Sequence, residues 1–186
     1  MGMDERIKSI KSQMSEASNE AASAFGSLTA EQLNWKPSDK GWSVGQCIDH
    51  IVRTNRQFFP EFDRLAAGDR QNSFWEKWSP FTGLGGRFLI RAVSEDSKKA
   101  KAPSKALVPP SDITTDIINR FSTHVEEVNE KIEACSTADR QSTVVTSPFL
   151  RILTYKLDDA LTVLVEHTKR HIRQAKRVMG TEGFPR

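Results

Sequence analysis

Between Asp4 and Phe25 the apolar residues Ile7, Ile10, Met14, Ala17, Ala21 and Phe25 recur at three- and four-residue steps. That spacing puts them on one face of a first helix. Gly26-Ser27 interrupts the stripe, and Thr29-Ala30-Glu31-Gln32 has the spacing of a capping box that opens a short turn. Trp35 to Gly41 shows no period and is punctuated by Pro37 and Gly41, so it reads as a loop. A second stripe follows in Val44, Cys47, Ile48, Ile51, Phe58, Phe62 and Leu65. Ser43-Val44-Gly45-Gln46 supplies its capping box, Trp42 is placed to staple onto Cys47, and Gly68 ends it. Pro60 falls inside this run and predicts a kink or the helix's last turns.

From Asp69 to about Pro110 the pattern is lost. This stretch carries Phe74, Trp75, Trp78 and Phe81, the glycines of Gly83-Leu84-Gly85-Gly86, and a basic irregular run from Lys98 to Lys105. A short helix is expected around Arg87 to Val93. A connection this long inside a compact domain is usually a crossover or functional. Ser111-Asp112, after Pro109-Pro110, reads as the cap of a third helix with the stripe Ile117, Phe121, Val125, Val128, Ile132 and Cys135. Thr143 to Thr146 reads as extended within a polar connection. Thr154 reads as the cap of a fourth helix that runs to Gly180 as its C′ residue. The tail to Arg186 is expected to be loose. Four amphipathic helices with one long crossover between the second and third predict an all-α fold, a four-helix bundle, in a single domain over residues 1–186.

Composition changes this picture little. The 186 residues are 37% hydrophobic and 27% charged, which is ordinary for a soluble globular chain. No run of about 18 apolar residues offers a membrane span, and the N-terminus has no apolar signal core. Cys47 and Cys135 both fall in apolar helical patterns and make no disulfide framework, so a reducing cytoplasm is the simplest location. A net charge of +3 permits an anionic ligand without arguing for nucleic acid. Lys169, Arg170, Arg173, Lys176 and Arg177 read as a solvated face that complements the helix C-terminus.

The candidate chemistry lies on the fourth helix. Leu157, Leu164, His171 and Val178 follow at seven-residue steps, so His171 takes a place its series otherwise gives to aliphatic residues. His167 sits one turn earlier on the same face, where side chains four apart are neighbours at about 5–6 Å. Two imidazoles in an apolar core each need a partner, and a metal ion would serve both. A third ring has to come from His50 or His124. His50, near the start of its helix and beside the crossover, is the stronger candidate, and His124 beside Val125 could also face inward. Asp49 and Glu166 adjoin histidines but point about 100° away, so they read as exposed charges, with support of an imidazole N–H as the alternative. Gln174 is one turn after His171 on the same side and is a candidate for such support. Cys47 reads as core packing, or else as a thiol near the site. Trp42, Trp75, Trp78 and Phe81 either line a substrate mouth or fill the bundle's end. Gly83 to Gly86 lacks the Lys-Ser/Thr of a phosphate loop, and neither a GxSxG elbow nor a Rossmann fingerprint is present. Thr168 stands where a zincin protease carries its glutamate base, which argues against that peptidase mechanism.

Trp42-Ser43 followed by His50 resembles the W-S-x-x-x-x-x-x-H helix opening of the DinB-like superfamily. His167, His171 and Gln174 resemble its closing H-x-x-x-H-x-x-Q motif, and Lys101 to Pro110 looks like the family's usual crossover end. The resemblance implies a four-helix bundle over the whole chain, a metal triad of His50, His167 and His171 that leaves His124 out, and a homodimer. The implied cofactor is a divalent metal ion, zinc or nickel foremost and iron or manganese next. The family includes thiol-dependent S-transferases and proteins described as metal-dependent hydrolases. A three-histidine ion can acidify a bound water, giving hydrolysis, or a bound low-molecular-weight thiol, giving transfer to an electrophile. The expectation is therefore a metal-dependent enzyme acting on a small molecule. Its rival is a non-catalytic stress-response binding or scaffold bundle with structural histidines. DNA and membrane partners are disfavoured.

Overall fold

A computed structural model describes residues 3–69, 76, 78, 82–94, 107–139, 141–150 and 152–186. The expectations placed on Trp75, on Phe81 and on the basic run from Lys98 to Lys105 lie outside the described residues.

The elements in order are α1 (Met3–Phe25), α2 (Ala30–Asn34), α3 (Val44–Arg56), α4 (Phe59–Ala66), α5 (Thr82–Ser94), α6 (Ile117–Ala134), β1 (Val144–Thr146), β2 (Thr154–Lys156) and α7 (Leu157–Met179). The bundle is a ring in which α1 packs on α6 and α7, and α3 packs on the same two helices. Each helix turns its predicted stripe inward, so Met14, Phe25, Ile48, Ile51, Phe121, Ile132, Leu161 and Leu164 share one core. The helix α5 lies outside this ring, against α7 and β2. No helix among the described residues is long and apolar enough to cross a membrane.

Both capping boxes form in full, Thr29 with Gln32 and Ser43 with Gln46. The expected kink at Pro60 is a complete break. The helix α3 stops at Arg56, and α4 restarts at Phe59 with Pro60 in its first turn, where a missing N–H costs no intrahelical bond. Gly68 closes α4 at φ +82°, a conformation that favours glycine.

Three element boundaries and the C-terminal tail differ from expectation, and each is met by a tertiary contact. Ser111-Asp112 does not cap the third helix, which begins at Ile117 after Asp116. Asn34 Oδ1 accepts from the Ile113 N–H at 2.8 Å while its Nδ2 donates to the Ile113 carbonyl at 2.9 Å, so this segment is bound to α2. Thr154 is not a cap either. It pairs with Thr146 in an antiparallel ribbon with Tyr155 opposite Val145, and Tyr155 is fully buried. The fourth helix therefore starts at Leu157, with Asp158 and Asp159 complementing its dipole, and its C-cap Gly180 is right-handed at φ −82°. The short helix expected at Arg87 to Val93 extends back to Thr82 and takes in the glycines. Glycine suits this position, since a Cβ at Gly86 would overlap the Asp159 side chain on α7. Finally, the tail is docked. The Phe184 ring meets Trp35 edge-on at 5.6 Å, and Gln32 Nε2 donates to the Pro185 carbonyl at 3.2 Å.

Candidate metal centre

His50 lies near the middle of α3, held inward by the capped start of that helix and by the buried Cys47, Ile48 and Ile51 around it. His167 and His171 lie one turn apart on α7, the helix packed directly against α3. The three rings converge. Their centroids are 5.1 Å apart for His50 and His167, 4.6 Å for His50 and His171, and 4.4 Å for His167 and His171. One nitrogen from each falls within 4.8 Å of the others, a spacing that a single ion can span.

The tautomer of His50 follows from its partners. Nδ1 is 2.8 Å from the Leu107 carbonyl, which can only accept, so Nδ1 carries the proton and Nε2 the lone pair. The Thr54 hydroxyl, 3.4 Å from Nε2, is then the donor in that weak contact. Backbone support of this kind orients metal-binding histidines in general. Here it comes from the far end of the crossover, which Gln46 also grips by donating to the Pro110 carbonyl at 2.9 Å.

The other two rings are less anchored. Nδ1 of His167 and of His171 is buried with no hydrogen-bond partner among the described residues. A buried polar atom without a partner is costly. Burial holds all three imidazoles below their ordinary pKa. His171 is brought to about 3, burial first and then the positive charge of His50 and Arg170, with Gln174 pulling the other way. His167 lies well below its usual value through burial and then its two neighbours and Arg170. His50 is lowered by burial, against the Leu107 carbonyl and Asp49, which raise it. At neutral pH the three rings are uncharged lone-pair donors, the state a cation requires. Orphaned nitrogens, neutral rings and a shared centre together fit a divalent ion.

The supporting residues sort unevenly. Gln174 is half-buried beside His171, as its spacing suggests. Asp49 is not an exposed charge. It is 3% exposed and ion-paired with Arg53, so it reaches His50 through its charge rather than by a hydrogen bond. Glu166 is half-buried and accepts weakly from Ser94 on α5 at 3.5 Å. Cys47 is buried and its thiol is pushed up to about 12 by desolvation, which makes it core rather than a thiolate. Trp42 lies over the site, its ring 4.7 Å from His50 and 5.9 Å from His171. Trp78 is 74% exposed and builds no wall of the site. His124 stands apart from the triad, stacked on Phe59 at 5.5 Å. The basic face of α7 is partly stitched into the fold rather than solvated. Lys169 donates to Gln13 at 2.7 Å, Arg170 to the Ala92 carbonyl at 3.2 Å, and Lys176 pairs with Glu20 at 2.6 Å.

Sequence reasoning missed Thr54 and Leu107. Thr54 carries the signal of lying one turn after His50, whereas a carbonyl brought from 57 residues away has none.

Comparison with known proteins follows this geometry. A family profile described as the DinB superfamily matches residues 13–175. No curated protein is a significant match. Among solved structures the chain is similar to YfiT from Bacillus subtilis, at 13% sequence identity and a TM-score of 0.61, covering 100% of this chain and 91% of that one. The YfiT structure is described as a probable metal-dependent hydrolase with an unusual four-helix bundle topology.

Proposed function

We propose that this chain, which belongs to the DinB superfamily, is a metal-dependent enzyme that acts on a small molecule, with His50, His167 and His171 as the metal ligands. The observation that carries the reading is the convergence of three neutral imidazoles, His50 and His171 buried and His167 half-buried, with one nitrogen each inside 4.8 Å. The description of YfiT as a probable metal-dependent hydrolase supports hydrolysis as the first reaction to test.

A divalent ion at this centre would supply a Lewis acid that acidifies water, or alternatively a low-molecular-weight thiol. The chain's own residues supply the rest. Leu107 holds the His50 ring in the tautomer that offers Nε2 inward. The weak Thr54 contact, at 3.4 Å, would yield the same lone pair to an ion, and Trp42 covers two of the rings and excludes water from that side. Arg170 adds positive charge that favours an anionic group on the reactant.

The test is metal analysis of tag-free protein, followed by an ester and amide panel run with and without added thiol. Stoichiometric metal with thiol-independent turnover supports a hydrolase, and turnover only with thiol supports a transferase. A protein that takes up no zinc or nickel on titration, and whose His171→Ala variant loses stability alone, would be a scaffold whose histidines are structural.

A further inference from the structure

The other buried histidine faces a different opening. His124 is 2% exposed and lines a cleft of about 310 Å³ between α3 and α6, together with Val52 and Arg56 from α3 and Asp116, Asn119, Arg120, Thr123 and Glu127 from α6. Phe59 of α4 backs the ring at 5.5 Å. Neither ring nitrogen has a hydrogen-bond partner among the described residues. Burial, and next the charge of Arg56, lower this imidazole to about 4 against Glu127, which raises it from 3.5 Å away, so the ring is neutral at physiological pH and has one N–H.

What the lining leaves unused decides the ligand. Each carboxylate has a partner on one of its two oxygens. Asp116 accepts from Thr114, and Glu127 lies 3.9 Å from Arg56 Nη2 and 3.5 Å from His124 Nδ1. The side chains of Arg120, Asn119 and Thr123 make no contact recorded among the described residues, and Arg56 has only its long pair with Glu127. Asp116, Asn119, Arg120 and Thr123 follow the i, i+3, i+4, i+7 steps of one helix face and line one groove with Arg56 of α3. Two guanidiniums, an amide and a hydroxyl offer more N–H and O–H groups than the Asp116 and Glu127 carboxylates can accept, so the cleft has donors to spare for a further acceptor.

We propose that this cleft is a binding site for a small oxyanion, a phosphate or carboxylate group of a soluble metabolite, held by Arg56, Arg120, Asn119, Thr123 and His124. It lies on the α6 side of α3, away from the triad on the α7 side, and does not depend on the metal reading.

The test uses the full chain, metal-free, with imidazole NMR signals and the His124 signal assigned by its absence in His124→Gln. Sodium phosphate and sodium succinate are titrated separately at constant ionic strength set with chloride. The expected result is a saturable shift of the His124 signal in the millimolar range with one of the two anions, weakened at least tenfold in Arg120→Ala and unchanged in His171→Ala. The anion that saturates first names the group. No shift, a linear shift that chloride reproduces, or the same shift in wild type and Arg120→Ala would overturn the proposal. Arg120 is exposed, so its variant is expected to fold.

Discussion

Helix α3 has histidine chemistry on both flanks, and the two flanks treat it differently. Toward α7, His50 meets two further rings, and its own proton is pinned by the Leu107 carbonyl. Toward α6, His124 is alone among polar groups of both charges. Burial lowers the pKa on both sides, so a depressed imidazole by itself does not distinguish a ligand from a lone buried ring. What separates them is company. In the triad the neighbours are more imidazoles, which reinforce neutrality and aim lone pairs at one point. In the cleft they are two guanidiniums, two carboxylates, an amide and a hydroxyl, a mixed set in which donors outnumber acceptors.

The sharpest way to break this contrast is metal removal and return. At 1,000 times its dissociation constant a ligand adds about 4 kcal/mol, so loading the apo protein with zinc or nickel should raise Tm by about 10 °C. His171→Ala should weaken metal binding by at least about 100-fold, beyond what is usual for loss of an outer contact, while His124→Gln should bind normally. Calorimetric titration and thermal melts read both, and equal behaviour of the two variants would erase the distinction.

Acid offers the next largest effect. The unfolded chain titrates its histidines near 6.5, whereas the fold holds His124 to about 4 and His171 to about 3. Below 6.5 the unfolded state binds more protons, so this stability is whole above that pH and is lost as pH falls toward the folded values. For His124 the loss by pH 4 is on the order of 3 kcal/mol. Urea melts of the metal-free protein should show a slope lower by about 1.4 kcal/mol per pH unit in His124→Gln within that window.

A smaller effect should confine itself to the triad flank. Gly86→Ala forces α5 away from Asp159 of α7 and should cost about 2 kcal/mol through overpacking. It should weaken metal binding and leave the His124 signal in place, and a shift of both would show that the flanks are not independent. Smallest of all, Ser43→Ala removes the cap of the helix that carries both flanks, at about 1 kcal/mol. Denaturant titration should show that loss, with metal affinity and the phosphate response declining together.

Much of this was legible from residue order alone. The stripes from Ile7 to Phe25 and from Ile117 to Cys135 mark their helices because helical periodicity is a local property, and they are buried as their spacing implies. The two capping boxes were equally readable, since a cap and its partner lie three residues apart. The pairing of His167 with His171 is of the same kind. The resemblance brought in His50, and the packing of α3 on α7 is what brings its ring to the other two.

Tertiary structure alone decided the features whose cause lies far along the chain. Asn34 holds Ile113 out of a helix from 79 residues away, Thr146 draws Thr154 into a ribbon, and Leu107 sets the proton on His50 from across the crossover. Asp49, an outward charge by its place on the helix, is buried and ion-paired with the partly exposed Arg53. Periodicity tells a side chain which face it occupies. Only the packed neighbours determine what stands opposite that face, and hydrogen bonds made there outweigh the weak local preferences of a Ser-Asp or a Thr at a helix start.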